Sequence, residues 1–123
     1  MADPRHQLGR RAEDAVASWL TRCGWRVLAV RYRLRSIGEV DLIALDPGDV
    51  LVALEVRARR SPRTGAAVAT VDSRRISRLA RTLAAYAEAS RTRHRGLRID
   101  LVAVEPDATA GWRMIRHPAI GER

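Results

Sequence analysis

Gly38-Glu39-Val40-Asp41-Leu42-Ile43-Ala44-Leu45-Asp46, a Pro47-Gly48-Asp49 turn, and Val50-Leu51-Val52-Ala53-Leu54-Glu55-Val56-Arg57 read as two β-strands around a tight connection. The stretch sets Glu39, Asp41, Glu55 and Arg57 into otherwise apolar runs, where charges need a reason. Side chains alternate along a strand, so Glu39 and Asp41 are expected on one face, as are Glu55 and Arg57. Whether the two pairs share a face depends on register. With Leu45 opposite Leu51, as a three-residue loop from Pro47 to Asp49 dictates, Asp41 lies opposite Glu55 and Glu39 opposite Arg57. A two-residue Pro-Gly loop slips the pairing by one and sends the two pairs to opposite faces.

In the first register two carboxylates face each other at roughly 5 Å between Cβ atoms. Like charges so placed are destabilising unless a cation sits between them. Arg57 relieves part of the repulsion and a divalent ion relieves more. Few, hard oxygen ligands with room for water and phosphate suit Mg²⁺ or Mn²⁺ better than zinc. The same spacing also suits a salt-bridge ladder on a solvated sheet face.

Working outward, residues 6–23 carry Ala12, Ala15, Val16, Trp19, Leu20 and Cys23 at the spacing of an amphipathic helix, with Gly24 as its stop. Glu13 borders that apolar stripe. Residues 25–32 read as a strand, and 33–38 as a basic connection into the hairpin. A Pro- and Gly-punctuated basic loop follows at 58–65. A second helix is expected from Asp72 or Ser73, either able to cap it, to about Ser90. Its buried stripe is Ile76, Leu79, Ala80, Leu83, Ala84 and Ala87, and Arg74, Arg78 and Arg81 align on another face. Residues 97–104 form a further strand and 111–115 a short last one. The order α-β-β-β-α-β(-β), with a helix between the third and fourth strands, predicts a single α/β domain over 1–123, a mixed sheet flanked by helices.

The 123 residues hold 23 Lys+Arg against 14 Asp+Glu, for a net charge of +9. Such a basic domain points to a polyanionic partner, nucleic acid ahead of an anionic membrane surface. All the basic residues are arginine, and Lys, Asn and Phe are absent. These three have A/T-rich codons, so a GC-rich genome is the simplest cause. Cys23 is the only cysteine, which excludes an intrachain disulfide and a cysteine-based zinc site. His6, His94 and His117 show no metal-ligand spacing. No apolar stretch suits a signal peptide or a membrane span, so a cytoplasmic location is expected.

Asp41, then Glu55-Val56-Arg57, with Glu13 on the preceding helix, resembles the PD-(D/E)XK nuclease superfamily, the restriction-endonuclease-like fold. More closely, Gly38-Glu39-Val40-Asp41-Leu42-Ile43-Ala44, Leu54-Glu55-Val56-Arg57-Ala58-Arg59 and Asp100-Leu101-Val102-Ala103-Val104 resemble the YraN-type family of uncharacterised bacterial proteins, itself similar to archaeal Holliday junction resolvases. The likeness spans about residues 8–117. It implies a restriction-endonuclease-like core and a Mg²⁺- or Mn²⁺-dependent endonuclease acting on structured or branched DNA. DNA is implied over RNA, and a homodimer by analogy with the junction resolvases. Asp41 and Glu55 would be the metal ligands, with the Val56 carbonyl as a third; Glu13 would reach the site from the first helix, and Glu39 would be an accessory acid. Arg57 falls where the superfamily has lysine. Arginine stays protonated, so it stabilises phosphoryl charge rather than taking a proton from water. The alternative is a nucleic-acid-binding protein without catalysis, and a third reading makes the acids plain partners of arginines.

Arg33, Arg35, Arg59, Arg60, Arg63 and Arg75 are candidates for phosphate contact, which gives affinity without sequence reading. The Arg74–Arg78–Arg81 stripe reads as a solvated face. Tyr32 reads as a sheet-packing residue, Trp19, Trp25 and Trp112 as core, and Cys23 as inert packing.

Overall fold

Leu45 stands opposite Leu51, the register that a three-residue loop requires. In this computed structural model, which describes residues 4–59, 64–107, 109 and 111–122, β2 (Gly38–Leu45) and β3 (Leu51–Ala58) pair antiparallel from Leu45–Leu51 to Leu42–Leu54. The turn closes through Asp46 N–H to the Val50 carbonyl at 2.9 Å and Asp49 N–H to the Asp46 carbonyl at 3.0 Å. Asp49 takes the left-handed conformation that ends such a loop, at φ +66. The Asp46 carboxylate accepts from the N–H groups of Gly48 and Val50, at 2.8 and 3.0 Å, so the loop is held from within.

The remaining strands are β1 (Arg26–Leu34), β4 (Leu97–Asp107) and β5 (Gly111–His117). The described residues form one five-stranded sheet in the order β1-β2-β3-β4-β5. Neighbours are antiparallel except β3 and β4, which run parallel because the chain between them crosses over through α2 (Thr64–Ala69) and α3 (Ser73–Ser90). The mixed α/β architecture is as expected from the sequence, with one helix added. The loop expected over 58–65 gives way to α2 from Thr64, which contributes buried Ala67 to the core.

α1 (Pro4–Arg22) covers one face of the sheet. Its Ala12, Val16 and Leu20 meet Trp25, Leu42, Ala44, Val52, Leu54, Val56, Val102 and Val104. α2 and α3 cover the other, where Leu79 and Leu83 meet Val40, Ile43, Leu45, Leu51, Ala53, Leu101 and Ala103. β3 and the middle of β4 are therefore buried on both sides, which is why they read as near-continuous apolar runs. Trp25 is buried, and Trp19 and Trp112 pack against the α1-side core. Tyr32 meets Tyr86 edge-on at 5.1 Å between ring centroids, a packing role.

α3 begins where the sequence predicts. Asp72 is its N-cap, accepting the Arg75 N–H at 2.8 Å. Its buried face is turned from the expected stripe: Thr82 is buried, Tyr86 is half-buried, and Ala80 and Ala84 are exposed. Rotating the helix this way replaces two small alanines with larger groups against the sheet. Cys23 is exposed rather than packed, because α1 ends at Arg22 and the chain turns there.

The two-residue alternation slips beside the hairpin's acids. Val40 and Ile43 both pack on the α3 side while Leu42 packs on the α1 side. In β1, Ala29 and Tyr32 likewise share the α3 side, with Arg31 between them at φ +52. The β1–β2 register shifts earlier, between Val27 and Ala29, and is the same at Val30–Leu42 and Tyr32–Val40 on either side of this irregularity. Asp41 sits at its centre. β2 beyond Leu42 stays with β1, so Glu39 stands across from Arg33, not from Arg57 as expected.

Candidate functional site

Asp41, Glu55, Arg57 and Arg75 come together where β2 parts from β3. The antiparallel ladder ends at Leu42–Leu54, one pair short of the Asp41–Glu55 level. In place of the next ladder bond, the Asp41 carboxylate accepts the Val56 N–H at 2.8 Å. Meanwhile β3 continues along β4 through Ala58–Val104, which keeps Glu55 and Arg57 inside the sheet.

Glu55 is 1% exposed and therefore must be paired. Arg75 on α3 supplies a two-point contact, Nε to Oε2 at 2.6 Å and Nη2 to Oε1 at 3.2 Å. Arg57 Nη2 adds a contact to Oε2 at 3.5 Å, and the Arg57 Nε is buried without a hydrogen-bond partner. Burial pushes the Glu55 carboxyl upward. The Arg75 hydrogen bonds, the bond to Asp41 and the Arg57 charge outweigh that and hold it below its ordinary value. Asp41 goes the other way. Burial first, then the hydrogen bond and charge of Glu55, push it up to about 8, against the opposing Val56 N–H. The two carboxyls thus share one proton near neutrality, as close carboxyl pairs do.

Glu13 faces the same region from α1, and its charge adds to the upward push on Asp41. Its own carboxylate is engaged by Arg31 at 2.9 Å; the same guanidinium reaches Asp14 at 3.3 Å. Glu39 is more peripheral, 4.0 Å from Arg33 and 43% exposed. Arg33 and Arg35 are exposed and Arg59 is half-buried. Arg60 and Arg63 lie outside the described residues. Arg75, grouped by sequence with the phosphate-contacting arginines, is bound to Glu55.

One buried acid escaped the sequence reading. Glu105, 1% exposed, shares the α3 side of β4 with Leu101 and Ala103 by alternation. Its Oε2 accepts from Arg113 at 2.7 Å, and its Oε1 has no partner. The available signal was a carboxylate directly following an apolar run. At the other end of the sheet, fully buried Asp100 accepts from Arg98, Arg116 and the Ala119 N–H, and Arg98 also reaches Asp46 in the hairpin turn at 2.9 Å. That cluster ties the turn to the C-terminal segment and is saturated with partners.

Among the described residues, no three His, Cys, Asp or Glu side chains gather into a metal-holding cluster. The donor set at the hairpin is a pair, Asp41 and Glu55. Magnesium-like ions are held by one or two carboxylates with water and substrate phosphate completing the shell, so a pair fits that chemistry. To join it, Glu55 must share an oxygen now taken by Arg75. No described helix is long and apolar enough to cross a membrane.

Comparison with known proteins places the chain. A protein from Bordetella avium, named only as a UPF0102 protein, is 44% identical over 84% of this chain and 70% of its own length. One from Symbiobacterium thermophilum is 41% identical over 81% of this chain and 83% of its own. Another from Pelotomaculum thermopropionicum is 37% identical over 95% and 96%. The profile of the uncharacterised protein family UPF0102 matches residues 12–104, from α1 through Val104. The hairpin, the Asp41–Glu55 pair, Arg57 and Arg75 all lie within the matched span, and the chain belongs to the UPF0102 family, the YraN-type family that its motifs resemble.

Proposed function

We propose that the chain is a divalent-metal-dependent endonuclease that hydrolyses phosphodiester bonds in structured or branched DNA. The observation that carries this reading is the buried Asp41–Glu55 carboxyl pair, built into a break in the sheet and flanked by Arg57 and Arg75. A core gains nothing in stability from two buried carboxyls forced together. Held so, they suit binding a cation and acting on a phosphate. Mg²⁺ or Mn²⁺, when bound by Asp41 and Glu55, supplies the positive charge that acidifies water and polarises a phosphoryl oxygen.

The chain's own residues take the other tasks. Val56 N–H fixes the Asp41 carboxylate, and Arg75 fixes the Glu55 carboxylate. Arg57, 35% exposed at its side chain, carries a permanent positive charge from Glu55 toward solvent, where a phosphoryl oxygen gathers charge in the transition state. Since arginine does not deprotonate, it serves as an electrostatic group and not as a base.

A second reading, a nucleic-acid-binding protein without catalysis, is favoured by one observation: Arg75 already neutralises Glu55 through both oxygens. Incubating the protein with four-way, flap and single-stranded DNA in Mn²⁺ separates the two. Cleavage by wild type and none by an Asp41→Asn, Glu55→Gln double variant supports the endonuclease. No cleavage above the double variant on any substrate removes the enzyme reading.

A further inference from the structure

We propose that the exposed arginine row of α3, Arg74, Arg78 and Arg81, joined by Arg33 at the end of β1 and Arg35 of the β1–β2 connection, is the surface that seats the phosphodiester backbone of a nucleic-acid duplex. The proposal rests on the nucleic-acid reading above and adds where the partner lies.

The row is built by helical spacing. Positions 74, 78 and 81 share a face and span about 10 Å of helix at 1.5 Å per residue, about three axial phosphate intervals of 3.4 Å along one strand. With Ser73 and Ser77 they line an open groove of about 330 Å³. Arg33 and Arg35 line a second groove of about 330 Å³ beside Gly38. The two grooves adjoin where Gly38 faces α3: a Cβ on Gly38 would stand in ordinary contact with Arg78, 3.8 Å from its Cβ. Gly38 itself has φ +156, a conformation that side chains disfavour, so the connection is shaped to lie against the helix.

These charges are not consumed within the fold. Among the described residues Arg35, Arg74, Arg78 and Arg81 have no acidic partner, and Arg33 meets Glu39 only at 4.0 Å. Arg74 and Arg78 form a like-charge i, i+4 pair, which weakens a helix. Within the first turn of α3 no acid offsets them, and the carboxylate of the N-cap Asp72 is engaged by the Arg75 N–H. An external anion removes that repulsion. The row also leads to the carboxyl pair, since Arg75, next to Arg74, holds Glu55.

A membrane surface fits less well. Interfacial helices insert apolar side chains beside their basic face. The exposed large hydrophobic residues among those described are Val30 and Leu97, neither on α3 nor on the connection. A second basic groove, with Arg26, Arg91, Arg93 and Arg95, lies at the far end of α3. Its lining includes Asp49, and Arg91 caps the C-terminus of α3, where a cation is locally favourable. That groove adjoins the hairpin-turn end of the sheet, at Leu45 and Asp49, rather than the Asp41–Glu55 end, and serves as the control.

The test is duplex binding by fluorescence anisotropy in EDTA across a salt series. Three proteins are compared: wild type, Arg74→Gln/Arg78→Gln/Arg81→Gln, and the charge-matched control Arg26→Gln/Arg93→Gln/Arg95→Gln. The expected result is at least about a tenfold weaker Kd for the α3 variant, with a salt slope shallower by about 2–3, and a much smaller change in the control. Equal losses in both variants, or wild-type binding by the α3 variant, overturns the proposal. So does loss of binding to phosphatidylserine vesicles, but not to duplex, in the α3 variant. Failure of cleavage with this binding pattern intact sinks the endonuclease reading alone. Cleavage at an unchanged KM by the α3 variant sinks the surface alone.

Discussion

The Asp41 carboxylate takes the Val56 N–H at 2.8 Å, across the point where β2 leaves β3. A side chain thereby substitutes for the next rung of the ladder and satisfies a backbone donor that the parting strands would otherwise strand. The same placement forces Asp41 against Glu55, so the break in the sheet and the unusual acid are one feature.

Asp41 makes stability depend on pH. Its folded value, about 8, lies above the ordinary 3.8, so between these values the unfolded chain has lost a proton that the native one keeps. Native stability therefore falls as pH rises across that window and levels off above it. An asparagine at this position has no proton to lose. Urea midpoints at pH 5, 6.5 and 8 should show an Asp41→Asn advantage that grows with pH, and a constant difference would refute the assignment. Glu55 acts in the opposite sense: held below its ordinary 4.5, its contribution is complete above that value and is lost as pH falls through the lowered one.

Arg75→Ala leaves buried Glu55 with Arg57, at 3.5 Å, as its one cationic partner among the described residues. Breaking a buried pair costs roughly 3–5 kcal/mol, and the partial exposure of Arg75 places this case at or below the low end. Adding Glu55→Gln should recover part of the loss. Titration calorimetry should also show Mn²⁺ binding more tightly to Arg75→Ala than to wild type, since the competing guanidinium is gone. Unchanged or weaker Mn²⁺ affinity would mean Arg75 does not compete for Glu55.

Two glycines should respond with opposite signs. A Cβ on Gly121 would stand 2.9 Å from Ile76 Cγ2, at φ +83, so Gly121→Ala should destabilise by about 1–3 kcal/mol. Gly9 lies inside α1 with nothing within 4 Å of its would-be Cβ. Gly9→Ala should stabilise by about 0.5–1 kcal/mol. Thermal melts of the two variants should move in opposite directions.

The hairpin loop gives a further pair. Asp46→Ala removes the acceptor for two N–H groups and for Arg98, and should cost about 2 kcal/mol. Asp49, left-handed at φ +66, should tolerate glycine with a gain of about 0.5–1 kcal/mol. Denaturant midpoints decide both, and an unaffected Asp46→Ala would mean that the turn does not depend on its internal acceptor.

Much of the frame was legible in the chain because its causes are local. The two possible hairpin registers follow from counting turn residues, and the three-residue turn of the structure selects between them. The start of α3 follows from Asp72 ahead of a 3.6-period stripe. The parallel β3–β4 pair follows from a helix between them. Where sequence failed, a local rule met a non-local cause. Glu39 was expected opposite Arg57 by strict alternation, but β2 slips at Asp41 and stays with β1. Ala80 and Ala84 fit the helical stripe as well as Thr82 and Tyr86, and only docking against the sheet chose between them.

The sequence by itself determined the α/β order and the acids to watch, Asp41 and Glu55, and left two hairpin registers, of which the structure takes Leu45 opposite Leu51. The tertiary structure decided what those acids touch. Arg75 lies twenty residues beyond Glu55, and no periodicity assigns it there rather than to solvent with Arg74 and Arg78. That depends on how α3 is rotated over β3, which is set by the whole α3-side core at once. Side-chain periodicity fixes a face within one element, and only packing between elements fixes which charge meets which.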